Sequence, residues 1–165
     1  MTTSYDSRED AAWSAYYADE YRAAFRLFLR LAMEGSVTAQ LQVGYMHDHG
    51  MGVREDPALA ARWYRTAAEQ GDVHGQYNLA MCHAEGQGVP RDPAQAANWF
   101  RRAAQQGHGE AQLRLGLLYE RGEGVARDLA RAVHWYRLAA EQEVEGALTR
   151  LTLLLARSAA FPRPA

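Results

Sequence analysis

Several residue types and patterns that point to particular protein classes are scarce or absent in this chain. It has a single cysteine, so no disulfide can form within it. No uninterrupted apolar run approaches the roughly 20 residues of a membrane-spanning helix, so membrane insertion is not expected. The first ten residues are polar and carry no apolar segment typical of a secretory signal, which predicts a cytoplasmic protein.

Lysine is absent too, and all 18 basic residues are arginine. This bias indicates GC-rich, bacterial coding rather than a specific need for guanidinium groups. The formal net charge is −2, whereas a domain that binds nucleic acid is normally basic, with its charge clustered on one face. The composition therefore argues against a nucleic-acid partner.

The sequence does contain a pattern that recurs every 36 residues. Its central copy, residues 75–109, has a small residue within an apolar segment, a Gly-x-Gly-Val loop, an aspartate and then an aromatic, arginine-rich and alanine-rich stretch. The repeating positions are Gly44, Ala80 and Gly116; Gly50, Gly86 and Gly122; Gly52, Gly88 and Gly124; Asp56, Asp92 and Asp128; and Trp63, Trp99 and Trp135. A strict period of this size is the signature of a stacked-repeat protein.

Each copy of the pattern predicts two helices joined by a loop. In the central copy we expect helix A over residues 75–85 and helix B over residues 93–106. The paired loop glycines are expected to adopt positive φ and so to end helix A. Asp92 is predicted to cap helix B through its carboxylate, as are the equivalent aspartates of the other copies. Pro93 then suits the first helical position.

The Gly-x-Gly-Val loop and aspartate, followed by Trp-Tyr/Phe-Arg-x-Ala-Ala, resemble the Sel-one-like repeat family, a relative of the tetratricopeptide repeat. The resemblance covers residues 39–146 as three full repeats and extends in partial units over 11–157. It implies an all-α fold, a right-handed α-solenoid of antiparallel helix pairs, used as an adaptor or scaffold in protein complexes. Family members of this kind are not usually enzymes, so neither a catalytic residue nor a cofactor is expected.

The predicted organisation is a single domain between two irregular ends. Residues 1–10 are expected to be disordered, and residues 158–165 are expected to form a flexible tail. The domain spans residues 11–157. It comprises an N-terminal capping helix pair over 11–38, full repeats over 39–74, 75–110 and 111–146, and a C-terminal capping helix over 147–157.

The resemblance also implies where a partner binds. By similarity to tetratricopeptide solenoids, helix A lines the concave face, and apolar residues spaced i, i+4 form a stripe distinct from the core positions Val43, Leu79 and Leu115. This helix-A stripe consists of Leu41, Tyr45, Tyr77, Met81, Leu113 and Leu117, and the charged rim beside it includes Asp48, Glu85, Glu120 and Arg121. Two interpretations stay open: the stripe lines a groove for a protein or peptide, or successive A helices pack through it and bury it.

Other motifs have structural interpretations. The glycine loops lack the preceding strand and the wider glycine spacing of a phosphate-binding loop. His47 and His83 occupy a position that is tyrosine in most family members, which favours packing over metal binding. Cys82 has no activating neighbour in the sequence and is expected to be a small buried side chain. No metal site and no nucleophile–base pair is predicted.

The sequence therefore predicts a non-enzymatic adaptor or scaffold that binds a partner protein through the helix-A stripe. An alternative is a dedicated one-to-one binder, such as the immunity protein of a bacterial toxin, which very tight equimolar binding would distinguish. A third hypothesis, a hydrolase of the β-lactam type, follows from cysteine-rich family members. Those members carry paired cysteines in each repeat, whereas this chain has one cysteine in total.

Overall fold

The structure is a computed structural model that describes the backbone of residues 3–160 and the side chains of residues 7–157. Within these residues every regular element is an α-helix. The nine helices are α1 (Thr3–Tyr17), α2 (Tyr21–Met33), α3 (Val37–Asp48), α4 (Pro57–Glu69), α5 (Val73–Glu85), α6 (Pro93–Gln105), α7 (Gly109–Arg121), α8 (Leu129–Glu141) and α9 (Ala147–Ala160). The predicted all-α fold is confirmed.

Within each of two compact units, consecutive helices pack as antiparallel pairs. The chain divides into two compact units, Met1–Arg91 with α1 to α5 and Asp92–Ala165 with α6 to α9. In each unit every helix contacts the next one along the chain, as a stack of helix hairpins requires. The expected handedness and the expected single domain both stay predictions.

The predicted helix caps are confirmed. The carboxylates of Asp56, Asp92 and Asp128 accept hydrogen bonds from backbone amides in the first turns of α4, α6 and α8, at 2.9 to 3.0 Å. Such a bond satisfies an amide that has no partner within the helix itself. At the other end, α5 and α7 stop at Gly86 and Gly122, whose φ values of 75° and 71° lie in the left-handed region. A glycine adopts this conformation without the steric cost that other residues meet.

Small residues on the A helices allow the B helices to approach closely. A Cβ atom added to Gly44 would lie 2.7 Å from Cε1 of Tyr64, and one added to Gly116 would lie 2.6 Å from Cε1 of Tyr136. Both tyrosine rings are buried in these contacts. The apolar core positions of the A helices, Val43, Leu79 and Leu115, are fully buried, as the sequence predicted.

A ladder of buried glutamines, which the sequence analysis missed, joins successive hairpins. The side-chain amides of Gln40, Gln76 and Gln112 donate to backbone carbonyls near the end of the preceding B helix, at 3.2 to 3.5 Å. Gln70 and Gln142 in turn donate to Gln40 and Gln112, at 2.7 and 2.9 Å. Glutamine recurs at the 36-residue period, and this was the signal available in the sequence. Each of these three carbonyls also accepts a backbone amide at its helix end, so the glutamine amide is a second donor to the same oxygen.

Three boundaries differ from the prediction. Helix α1 begins at Thr3 rather than Ala11, so the disorder expected over residues 1–10 is wrong from residue 3 onward. Packing on α2 and the ion pair between Arg8 and Glu34, at 3.0 Å, favour this longer helix. Helix α9 continues to Ala160 rather than ending at 157, and the rest of the predicted tail lies outside the described residues. Helix A of the central repeat begins at Val73, two residues earlier than expected.

Candidate functional site

The first compact unit carries four residues of the helix-A stripe, on α3 and α5. Leu41, Tyr77 and Met81 are half-buried, and Tyr45 is exposed over 39% of its surface. The neighbouring core positions on the same helices are fully buried. In this unit the stripe is therefore neither a part of the core nor completely covered.

Tyr45 is held in place by the next turn of its own helix. Its ring stacks on the imidazole of His49, with 4.0 Å between the ring centroids. Nδ1 of His49 lies 3.0 Å from the backbone carbonyl of Tyr45 and 4.0 Å from the Asp48 carboxylate. An ordered aromatic surface of this kind loses little conformational entropy when it meets a partner.

The second compact unit carries the remaining stripe residues, Leu113 and Leu117, on α7. Both are half-buried, whereas Leu115 between them is completely buried. Leucines i and i+4 lie next to each other on one helical face. The same alternation of core and partly exposed positions thus occurs in both units.

The rim residues differ in their exposure and in their contacts within the protein. Glu85 and Arg121 are exposed. Glu120 is 17% exposed, accepts a 2.6 Å hydrogen bond from the hydroxyl of Tyr136 and lies 3.9 Å from Arg157. Glu120 therefore has a structural role inside its own unit. The partner-binding role of the stripe and the rim stays a prediction.

The side chains of His47 and Cys82 pack inside the protein. His47 is buried, and its ring lies edge-on against Phe25 with 5.2 Å between centroids. Cys82 is buried too, and burial, with a smaller contribution from Asp48, raises the pKa of its thiol to about 12. The thiolate is the nucleophilic form of cysteine, so this thiol is unreactive near neutral pH. Among the described residues no three His, Cys, Asp or Glu side chains group as metal ligands.

One further polar cluster, not predicted from the sequence, lies in the second unit. The guanidinium groups of Arg101 on α6 and Arg131 on α8 both reach the hydroxyl of Tyr119 on α7, at 3.4 and 3.3 Å. The cluster combines three helices, so no local pattern could have indicated it.

No helix in the described part of the chain is both long and apolar enough to cross a bilayer.

Comparison with known proteins identifies the repeat. The family model described as Sel1 repeat matches residues 18–36, 37–72, 73–108 and 109–144. The last three matches begin where α3, α5 and α7 begin. These boundaries precede the predicted repeat starts by two residues, and the first match covers part of the predicted capping pair. A comparison with curated proteins finds no match.

Solved structures agree with this match. A Sel1 repeat protein from Oxalobacter formigenes, known from its crystal structure, is 32% identical in sequence to this chain, with a TM-score of 0.82. The match covers 87% of this chain and 59% of that protein. A protective antigen of uropathogenic Escherichia coli strains, which displays an SLR fold, is 37% identical with a TM-score of 0.79. That match covers 81% of this chain and 29% of the antigen. The chain thus spans less than two thirds of either protein.

Helicobacter pylori cysteine rich protein B is more distant. It is 19% identical, with a TM-score of 0.58, and the match covers 86% of this chain and 95% of that protein. At this identity the likeness concerns the fold alone.

Proposed function

Because the chain belongs to the Sel1 repeat family, we propose that it is a non-enzymatic interaction module, an adaptor or scaffold that binds a partner protein through the helix-A stripe. One observation carries the proposal. The apolar stripe residues are all partly exposed, although residues two positions away on the same helices are fully buried. Partly exposed apolar residues that lie next to each other, as positions i and i+4 of one helix do, are typical of an interaction surface.

We place the centre of the interaction in the first unit, at Tyr77 and Met81 on α5, with Tyr45 on α3 contributing an ordered aromatic ring. A tyrosine supplies a rigid apolar contact together with a hydroxyl group, and methionine adapts to irregular partner surfaces. A few central residues carry most of the binding free energy of a typical interface. Single changes at these positions should therefore have a large effect.

The experiment begins with a photo-reactive amino acid placed at position 77, which cross-links the partner in cells of the native organism. The same amino acid at position 62, an exposed arginine on α4, provides the background. The captured partner is then purified, and its affinity is measured for the parent and for single variants. We expect Tyr77→Ala and Met81→Glu each to weaken binding by about thirtyfold, which corresponds to about 2 kcal/mol.

The matched control is Arg62→Glu, which reverses an exposed charge on a B helix and should leave the affinity unchanged. Circular dichroism and melting temperature must stay near parental values in all three variants. Normal binding by both stripe variants, with loss of binding in Arg62→Glu, would show that the partner uses another face. The stoichiometry of the complex separates an adaptor from a dedicated one-to-one binder. The cytoplasmic location is likewise a proposal, which fractionation of the native cells tests.

A further inference from the structure

The second unit contains a small cavity with three arginines among its seven lining residues, between α6, α7 and the start of α8. Its volume is about 280 Å³. The lining residues are Arg101, Tyr119, Val125, Ala126, Arg127, Asp128 and Arg131. None of them belongs to the helix-A stripe or the rim, so this is a separate feature of the molecule.

The hydrogen-bonding capacity of the Tyr119 hydroxyl is only partly used. Both of its contacts are with guanidinium groups, which can donate but cannot accept. They occupy the two lone pairs of the oxygen. The hydroxyl proton then has no acceptor among the side chains described, and the side chain is only 4% exposed. The residue lines the cavity, so an acceptor that enters the cavity can take this proton.

The arginines also keep donors unused. Arg101 has Tyr119 as its hydrogen-bond acceptor, at the long distance of 3.4 Å. Arg131 adds an ion pair from Nε to Asp128, at 3.2 Å, and its guanidinium lies 5.4 Å from the centroid of the Tyr119 ring. Arg127 donates from Nε to the backbone carbonyl of Glu120, at 3.0 Å, which holds its charge at the cavity. Each guanidinium has five N–H donors, so most of them remain available.

The charges of the lining residues do not balance. Three arginines face one carboxylate, that of Asp128, which already caps α8 and pairs with Arg131. The lining therefore has a formal net charge of +2 in a protein whose overall net charge is −2. A cluster of guanidinium groups is suited to an oxygen anion, because guanidinium groups form strong charge-assisted hydrogen bonds to carboxylate and phosphate oxygens.

The positions 72 residues earlier in the chain, on α2, α3, α4 and the loop between α3 and α4, provide a comparison. The positions 72 residues before Arg101, Arg127 and Arg131 hold Leu29, Glu55 and Leu59, and the position before Tyr119 holds His47. The cationic groups are missing at these positions. Arg127 repeats a contact that Arg91 makes in the second repeat, where its Nε donates to the carbonyl of Ala84 at 3.1 Å. Tyr119 and Arg131, in contrast, replace His83 and Gln95 of the second repeat, so these two residues distinguish the cavity from both earlier copies.

We propose that this cavity is an oxyanion site that binds a carboxylate of an acidic peptide segment on a protein partner. The carboxylate accepts from Arg101 and Arg131 and from the hydroxyl of Tyr119, while Arg127 contributes charge. The choice of a peptide carboxylate rests on the proposed function, because a protein partner presents Asp and Glu side chains. The site itself does not depend on the helix-A stripe.

The test uses the full chain and two capped peptides, tetraglutamate and tetraglutamine, which match in length and shape but differ in charge. Binding is followed by NMR through the side-chain N–H signals of the arginines at low ionic strength, where electrostatic contacts are least screened. We expect tetraglutamate to shift the signals of Arg101 and Arg131, and tetraglutamine to leave them unchanged. Arg131→Gln should weaken tetraglutamate binding on the order of tenfold.

The matched control is Arg137→Gln, which removes an exposed arginine from the same helix outside the cavity and should change the affinity by less than about twofold. Tyr119→Phe removes only the hydroxyl donor and should weaken binding severalfold. Arg131 is exposed, so its variant will fold even if the change at the buried tyrosine disturbs the packing.

The ionisation of Tyr119 provides a second readout. Burial by itself would raise the pKa of this phenol, but the hydrogen bonds and charges of Arg101 and Arg131 outweigh burial and lower it. A bound carboxylate offsets the arginine charges, so tetraglutamate should raise the pKa of Tyr119. Because the chain has nine tyrosines, this pKa is measured from the difference in phenolate absorbance between the parent and Tyr119→Phe. A merely structural cluster would show no such change.

Three results would overturn the proposal. The first is equal binding of tetraglutamate and tetraglutamine. The second is an equal loss of affinity for tetraglutamate in Arg137→Gln and in Arg131→Gln. The third is tighter binding of inorganic phosphate than of tetraglutamate, which would assign the site to phosphate. Failure of the stripe variants to affect a partner would contradict the proposed function but none of these measurements.

Discussion

The first full repeat, α3 and α4, and the third, α7 and α8, share one backbone design and differ in the chemistry placed on it. In both, a glycine of helix A meets a buried tyrosine of helix B, and an aspartate caps helix B. In both, a loop glycine lies directly against the backbone of the preceding hairpin. At the shared glycines, any larger side chain would collide with backbone atoms or with a packed tyrosine ring.

The differences lie where side chains meet open space or each other. Asp48 of the first repeat is replaced by Glu120 in the third, and His47 by Tyr119. Gly71, with φ of 91°, is replaced by Glu143, with φ of 57°. The comparison shows that the packing contacts determine the frame of this repeat, while polar positions beside the frame are free to acquire different functions.

The strongest test of the packing contacts that the two repeats share, here called the frame, is to replace the loop glycines by alanine. A Cβ on Gly52 would lie 2.2 Å from the carbonyl oxygen of Tyr21, and one on Gly124 would lie 2.0 Å from that of Pro93. Both glycines also have φ near 70°, which costs other residues energy. We expect Gly52→Ala and Gly124→Ala each to lower the free energy of unfolding by about 3 kcal/mol, measured by chemical denaturation.

The control for this pair is Gly71→Ala. Gly71 has positive φ, but a Cβ there would meet no atom within 4 Å, so only the conformational cost of about 1 kcal/mol is expected. If either loop variant were as stable as the control, the close contact between that loop and the preceding hairpin would be wrong.

A smaller effect distinguishes the two buried tyrosines. The hydroxyl of Tyr136 donates to the carboxylate of Glu120 at 2.6 Å, whereas Tyr64 makes no hydrogen bond to the shorter Asp48 at the equivalent position among the described contacts. Tyr136→Phe should therefore cost about 1.5 kcal/mol, because a hydrogen bond to a charged group is lost. Tyr64→Phe should change the stability by less than about 0.5 kcal/mol.

A double-mutant cycle with Glu120→Gln isolates the Tyr136 interaction from other effects of the substitutions. Equal costs for the two tyrosine variants, or no coupling between Tyr136 and Glu120, would remove this difference between the repeats.

The smallest expected effect concerns the turn after helix B. Glu143 adopts the left-handed conformation that Gly71 has in the first repeat, and its side chain is exposed. Glu143→Gly should stabilise the protein by about 0.5 kcal/mol, since the relief of strain exceeds the greater chain entropy of glycine. The reciprocal change Gly71→Glu should destabilise it, and melting temperatures measure both. Destabilisation by Glu143→Gly would show that this side chain has a contact that stabilises the turn.

Much of the frame could be predicted because its causes are local in sequence. Asp92 lies immediately before α6, and its carboxylate accepts hydrogen bonds from the backbone amides of Ala94 and Gln95. Gly86 ends α5 within the same loop. The start of α1 at Thr3 could not be predicted in this way. Residues 3–10 have no periodic pattern of apolar residues. Their helix depends on contacts with α2 and with the residue that follows it, such as the ion pair between Arg8 and Glu34.

The candidate binding residues were predictable only in part. The i, i+4 spacing correctly separated the stripe from the buried positions, since Leu41 is partly exposed and Val43 is not. The spacing could not show that Glu120 is engaged by Tyr136, because this hydrogen bond joins two helices.

The sequence by itself determined the 36-residue period, the helix pairs and their caps, because each depends on the conformational preferences of a few neighbouring residues. Only the tertiary structure decided which polar groups meet. Gln112 reaches a carbonyl of the preceding helix, and Arg101 and Arg131 converge on Tyr119 from two other helices. The physical reason is that these contacts depend on how one hairpin packs on the next, and that packing brings together residues that no local pattern connects.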